Sequence, residues 1–288
     1  MTEPRLNHVQ CITGKGLHRM AYWEWGDAAN PRVLLCAHGL ARQGRDFDVL
    51  AETMSDQYRV VCPDVVGRGR SDRLADPMGY QIPAYVADMV TLLARVNAQT
   101  LHWVGTSMGG LIGLTLAGLP QSPIEKLVLN DVGPAIQPEA LARIGTYLGA
   151  PLRWATIAEA SAYLESISAS FGPHTPEQWT ALSRPMIVAD DDGYKLHYDP
   201  AIALPFRAIT PELAAIGEAA LWRSYDALTC PTLVVRGAES DLLTHATAVA
   251  MTERGPKARL HEVAGVGHAP TLIQPEQVEV VRRFLLSP

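Results

Sequence analysis

Apolar positions alternate with polar ones from Val9 to Thr13 and again from Arg19 to Trp25, with Gly14, Lys15 and Gly16 between the two runs. Period-two alternation on either side of a glycine-bearing turn predicts an antiparallel hairpin. Beyond Trp25 the pattern changes. Short apolar, β-branched runs then alternate with helical patterns: Val33–Ala37, a helix near Asp46–Ser55, Arg59–Pro63, a helix near Ile82–Val96, Leu101–Thr106, and a helix over Met108–Leu119. Runs that lack polar alternation and are separated by amphipathic helices predict a parallel sheet covered on both faces. Lys126–Asn130 continues the sheet, Thr232–Arg236 and Arg259–Val263 close it, and a last helix follows near Pro275–Leu286.

Between Gly133 and about Asp226 the strand–helix alternation lapses, and amphipathic patterns such as Glu139–Leu148 and Ile157–Ile167 follow one another. The expected organisation is therefore a core of residues 1–133 and 227–288, interrupted by a helical cap over 134–226. That insertion holds ten of the nineteen aromatic residues in under a third of the length, among them Trp154, Phe171, Trp179 and Trp222. Large side chains serve a small helical layer as packing, and they also suit an apolar pocket wall. Asp190-Asp191-Asp192-Gly193 reads as a solvated turn, because the ligand spacing of a calcium loop is missing.

Composition narrows the function classes. With 24 basic against 30 acidic side chains, a formal charge of -6 leaves no electrostatic footprint for nucleic acid. The basic stretch Gly67–Arg73 is bracketed by Asp64 and Asp72, and its glycines suit a turn more than a phosphate cradle. Four scattered cysteines, Cys11, Cys36, Cys62 and Cys230, read as small buried hydrophobes. Met1-Thr2-Glu3-Pro4-Arg5 opens without an apolar leader, and no window reaches the roughly 18 apolar residues of a membrane span. A soluble cytoplasmic protein is the expectation; oligomeric state is left open.

The chemistry concentrates in Gly105-Thr106-Ser107-Met108-Gly109, which follows the strand Leu101–Val104 and opens the next helix. A serine on a tight strand-to-helix turn is held above the sheet edge, and glycines on both sides let strand and helix approach closely. Its hydroxyl needs a base. Of nine histidines, His268 is best placed, on the loop between the last strand and the last helix. His8, His18, His174 and His245 read as surface or core residues, and His38, before Gly39, as a loop-shaping one. Asp241, on the glycine- and serine-containing loop after Thr232–Arg236, is the expected carboxylate partner of His268, with Asp131 as its rival at another strand end. The backbone N–H groups of Met108 and Leu40 are the expected oxyanion donors.

His38-Gly39, Pro63–Asp72, Gly105–Gly110, Gly237–Asp241 and Gly267-His268 together resemble, in order and across nearly the whole chain, the α/β-hydrolase fold superfamily. The resemblance implies an eight-stranded, mostly parallel sheet, a cap over the catalytic edge and a Ser…Asp…His order. Serine at the nucleophile position disfavours haloalkane dehalogenases and epoxide hydrolases, which use aspartate there. The expected activity is a carboxylesterase-like serine hydrolase acting on small to medium apolar esters through an acyl-enzyme, with no cofactor and no metal implied. Serine-dependent carbon–carbon hydrolases, lactonases and thioesterases share these parts. A small-molecule receptor on a hydrolase scaffold is the reading from another class.

Overall fold

The alternation along the chain closes into one eight-stranded sheet in the computed structural model, which describes residues 3–288. Met1 and Thr2, where the leader reading begins, lie outside the described residues. In chain order the core supplies β1 (Arg5–Thr13), β2 (Gly16–Trp25), β3 (Arg32–Ala37), α1 (Asp48–Met54), β4 (Arg59–Pro63), α2 (Ile82–Val96), β5 (Thr100–Thr106), α3 (Met108–Ala117) and β6 (Ile124–Asn130). An inserted segment follows: α4 (Pro138–Tyr147), α5 (Ile157–Ile167), α6 (Pro176–Ser183), β7 (Ile187–Asp190), β8 (Gly193–Leu196), α7 (Ala203–Arg207) and α8 (Pro211–Asp226). Then come β9 (Thr232–Gly237), α9 (His245–Glu253), β10 (Arg259–Val263) and α10 (Pro275–Leu286).

Strand order is β1-β2-β4-β3-β5-β6-β9-β10. The first two strands pair antiparallel with each other and β2 pairs antiparallel with β4; all remaining pairs are parallel. The central strands are apolar on both faces because both faces are covered. Val33, Leu35 and Ala37 of β3 face a core shared with α2 and α3, whereas Leu34 and Cys36 face one shared with α1 and α10. All four cysteines are free and buried, as small hydrophobes are. No helix among the described residues is long and apolar enough to cross a membrane.

One correction concerns the insertion. It is not wholly helical: β7 and β8 form a separate antiparallel hairpin whose turn is Asp190–Gly193. Strands of four residues are too short for period-two alternation to register against the surrounding helical signal.

The topology also fixes where a site can form. From β3 the chain crosses to β4 on one side and then returns to β5 on the other, so the loops leaving β3 and β5 diverge. A crevice opens at such a switch point, beyond the carboxyl ends of the strands. The loops that flank it carry His38–Leu40 and Ser107.

Candidate active site

Ser107 is the hinge between β5 and α3, and its backbone adopts φ 52°, ψ −116°. A non-glycine residue there stores about 1–3 kcal/mol of strain, which the surroundings must hold. They do so through close packing. A Cβ on Gly105 would collide with the backbone of Gly109, and one on Gly109 with the carbonyl of Ala37 at the end of β3. The Ser107 N–H donates to the Asn130 carbonyl at 3.0 Å, tying the turn to β6.

His268 approaches from the loop after β10. Its Nε2 lies 3.0 Å from Ser107 Oγ, and its Nδ1 lies 2.7 Å from Asp131 Oδ2. Asp131 is fully buried, also has a left-handed backbone (φ 54°), and has both carboxylate oxygens occupied. Oδ1 accepts from the Gly237 N–H at 2.8 Å, and Oδ2 also accepts from the Ser240 hydroxyl at 2.6 Å. An acceptor-only carboxylate at Nδ1 places the imidazole proton there and leaves the Nε2 lone pair facing the serine hydroxyl. The histidine loop is itself tethered. Ser170 of the insertion donates its hydroxyl to the His268 carbonyl at 2.7 Å, and Asn130 Nδ2 donates to the Pro270 carbonyl at 2.8 Å.

The expectation that Asp241 meets His268 is corrected by this geometry. Asp241 is 46 % exposed and forms a two-pronged ion pair with Arg143 of α4, at 2.7 and 2.9 Å. Partial burial pushes its carboxyl up, but the Arg143 hydrogen bonds and charge, with a smaller contribution from His268, hold it below the ordinary value. The physical reason is which side chain of the loop faces inward. Ser240 turns in and donates to Asp131, so its neighbour Asp241 turns out to the insertion. The sequence did contain a signal for this: a buried carboxylate needs donors, and Gly237 and Ser240 are those donors.

On the other side of Ser107, the loop after β3 is held by His38. Val65 N–H donates to its Nε2 at 2.9 Å, so Nδ1 bears the proton and donates to the Gly39 carbonyl at 2.7 Å. The Arg42 N–H donates to that same carbonyl at 3.0 Å. Gly39 C=O and Leu40 N–H belong to one planar trans peptide, so fixing the carbonyl fixes the opposite direction of the N–H. Burial, only partly offset by the Gly39 bond and reinforced by Arg68 and Arg42, lowers the His38 pKa to about 3. His38 is therefore a neutral strut. Met108 opens α3, where a first-turn N–H has no acceptor within its own helix.

Arg42 is spanned by Asp46 at 2.6 and 2.7 Å and lies over the Phe171 ring, whereas Arg207 holds the Leu148 carbonyl at 2.8 Å within the insertion. Among the described residues, ligand-type atoms converge at Cys11 of β1, His18 of β2 and Asp88 of α2, at the hairpin edge of the sheet and away from β5. There His18 Nε2 and Asp88 share a 2.9 Å hydrogen bond, while burial and then Asp88 push the Cys11 thiol up to about 12.

Comparison with known proteins agrees with this architecture. The family model for the alpha/beta hydrolase fold matches residues 32–274. The chain is 59% identical over 285 residues to a 3-hydroxybutyrate-oligomer hydrolase of Cupriavidus necator, covering 98% of this chain and 97% of that protein. It is 27% identical over 251 residues to a 2-(acetamidomethylene)succinate hydrolase of Mesorhizobium japonicum, covering 85% and 84%. The crystal structure of an alpha/beta hydrolase from Novosphingobium aromaticivorans superposes with a TM-score of 0.86 at 36% identity, covering 99% of each chain.

Proposed function

Since the chain belongs to the α/β-hydrolase fold family and is a hydrolase, we propose that it cleaves the ester bonds of short 3-hydroxyacyl oligoesters, with Ser107, His268 and Asp131 as its catalytic triad. The observation that carries this reading is the unbroken line from Asp131 Oδ2 through His268 to Ser107 Oγ, at 2.7 and 3.0 Å. The substrate class is that of the Cupriavidus relative, a 3-hydroxybutyrate-oligomer hydrolase.

In this mechanism His268 Nε2 takes the hydroxyl proton as Ser107 Oγ attacks the ester carbonyl. Asp131 stabilises the imidazolium without accepting its proton. The Leu40 and Met108 N–H groups meet the oxyanion, the alcohol leaves with the proton from His268, and water then enters by the same route to release the acid. Residues 134–226 act as a cap, and Phe171, stacked on Trp179 at 6.5 Å, belongs to the apolar wall over the acyl chain.

The test pairs labelling with turnover. A fluorophosphonate should modify Ser107 stoichiometrically and abolish release of 3-hydroxybutyrate from its linear dimer and trimer. On simple esters, each added methylene should improve kcat/KM by up to about 0.8 kcal/mol until the wall is reached. A folded protein that neither labels at Ser107 nor turns over any ester would be a receptor on this scaffold, and the proposal would fall.

A further inference from the structure

Arg68, in the loop after β4, is the largest charged side chain to be fully buried, at 1% exposure. Among the described residues it makes no direct ion pair with a carboxylate, and its own hydrogen-bond partners are neutral groups. Its Nε donates to the Leu40 carbonyl at 2.9 Å, and its Nη1 donates to the Val66 carbonyl at 2.7 Å and the Tyr85 hydroxyl at 2.9 Å. Nη2 rests on Met108 Sδ at 3.7 Å, and the guanidinium lies over the rings of Tyr80 and Tyr85 at 5.6 and 5.1 Å. The Asp199 carboxylate belongs to this cluster but is engaged elsewhere, accepting from the Tyr80 hydroxyl at 2.7 Å and the Ala201 N–H at 3.0 Å.

Two features of this arrangement exceed what packing requires. First, burying a guanidinium without a direct carboxylate partner is costly, and a neutral side chain of similar shape would fill the space without that penalty. Second, the two groups it braces at opposite ends of its fork are Leu40 and Met108. These belong to different elements, the loop after β3 and the first turn of α3, and both stand beside Ser107.

We propose that Arg68 is the positioning residue of the oxyanion site, bracing the loop of Leu40 through its carbonyl and the start of α3 through the Met108 side chain, and adding a buried positive charge to the field behind that site. The inference rests on the ester-hydrolase reading above. A buried cation without a direct carboxylate partner in the resting protein becomes favourable when negative charge forms nearby, and a low-dielectric setting strengthens that attraction. The loop carrying Arg68 is held from the insertion side as well. Gly69 N–H donates to His197 Nδ1 at 2.7 Å, and Asp199 N–H donates to the Gly67 carbonyl at 2.8 Å. Arg68 therefore couples the seating of the insertion to the geometry of the oxyanion donors.

The experiment compares wild type, Arg68→Met and Arg68→Lys in ester turnover and in the adduct each forms with an alkyl trifluoromethyl ketone. That adduct places a hemiketal oxygen where the oxyanion would sit, and its ionisation is followed by fluorine NMR. Arg68→Met should lower kcat by about 10²-fold with KM changed by less than about threefold, and raise the hemiketal pKa by about 2 pH units, as for the loss of an oxyanion donor. Arg68→Lys keeps the charge but loses the fork, so kcat should fall by about tenfold while the hemiketal pKa stays closer to wild type. A folded Arg68→Met variant with unchanged kcat and hemiketal pKa overturns the assignment. Should that variant not fold, undiminished kcat in Arg68→Lys overturns it instead. If the wild-type protein itself forms no adduct at Ser107, the ester-hydrolase reading fails and takes this inference with it.

Discussion

At the scale of single residues, the two aspartates on the loops that follow β6 and β9 have opposite fates. Asp131 is buried and spends its oxygens on His268, Ser240 and Gly237, whereas Asp241 is half-exposed and spends its own on Arg143. Asp131→Asn should leave a folded protein with kcat lowered by about 10⁴, because an amide at this position favours the wrong imidazole tautomer. Asp241→Asn should retain near-normal turnover and lose no more than about 1 kcal/mol of stability, as expected for an exposed ion pair. Steady-state kinetics and urea melts of the two variants decide the matter; the reverse pattern would return the role to Asp241. Both carboxylates follow strands that end at the same sheet edge, so position along the chain did not separate them. What separated them is which residue of the Gly237–Asp241 loop turns inward, and that follows from packing.

At the scale of elements, the Ser107 turn depends on three backbones meeting at glycine: the end of β3, the end of β5 and the start of α3. Gly109→Ala would push a methyl into the Ala37 carbonyl, where no flexible side chain can yield. The expected cost is about 1–3 kcal/mol of stability, with a larger relative loss of Ser107 labelling rate because β3 also carries the His38–Leu40 loop. Urea midpoints alongside phosphonate labelling kinetics test this; equal midpoints would show that α3 can move away freely. The need for glycine at both ends of this turn was legible in the sequence. The β7–β8 hairpin was not, since its strands are short and Tyr194 pairs with the Trp154 backbone, far off in sequence.

At the scale of the whole molecule, acid stability reflects histidines buried in the neutral form. The clearest is His38, whose pKa falls from an ordinary 6.5 to about 3. Between those values the unfolded chain binds a proton that the folded protein refuses. Stability from this group is thus fully present above about pH 6.5 and lost as the pH falls, by up to about 1.4 kcal/mol per pH unit. His38→Gln can still accept from Val65 and donate to Gly39 without titrating. Its unfolding free energy, measured between pH 7.5 and 5, should therefore fall less steeply than that of wild type by up to one proton. Parallel slopes would mean that His38 is protonated in the folded state. Taking the difference between variants cancels the other groups, including Asp64, whose carboxyl burial pushes up to about 6 against its backbone hydrogen bonds.

The sequence alone determined the local matters. Hydrophobic period placed the strands and most helices, glycine spacing placed Ser107 on its turn, and the position of His268 after the last strand placed its imidazole at the same edge. Each of these depends on a residue and its near neighbours, so each leaves a mark in a short window. The tertiary structure alone decided which carboxylate meets His268, that a hairpin sits within the insertion, and that Arg68 lies beneath both Leu40 and Met108. Those outcomes depend on groups distant in the chain that must share a buried space. There every donor, acceptor and charge has to be satisfied by whatever packing brings near, and no local pattern encodes the partner.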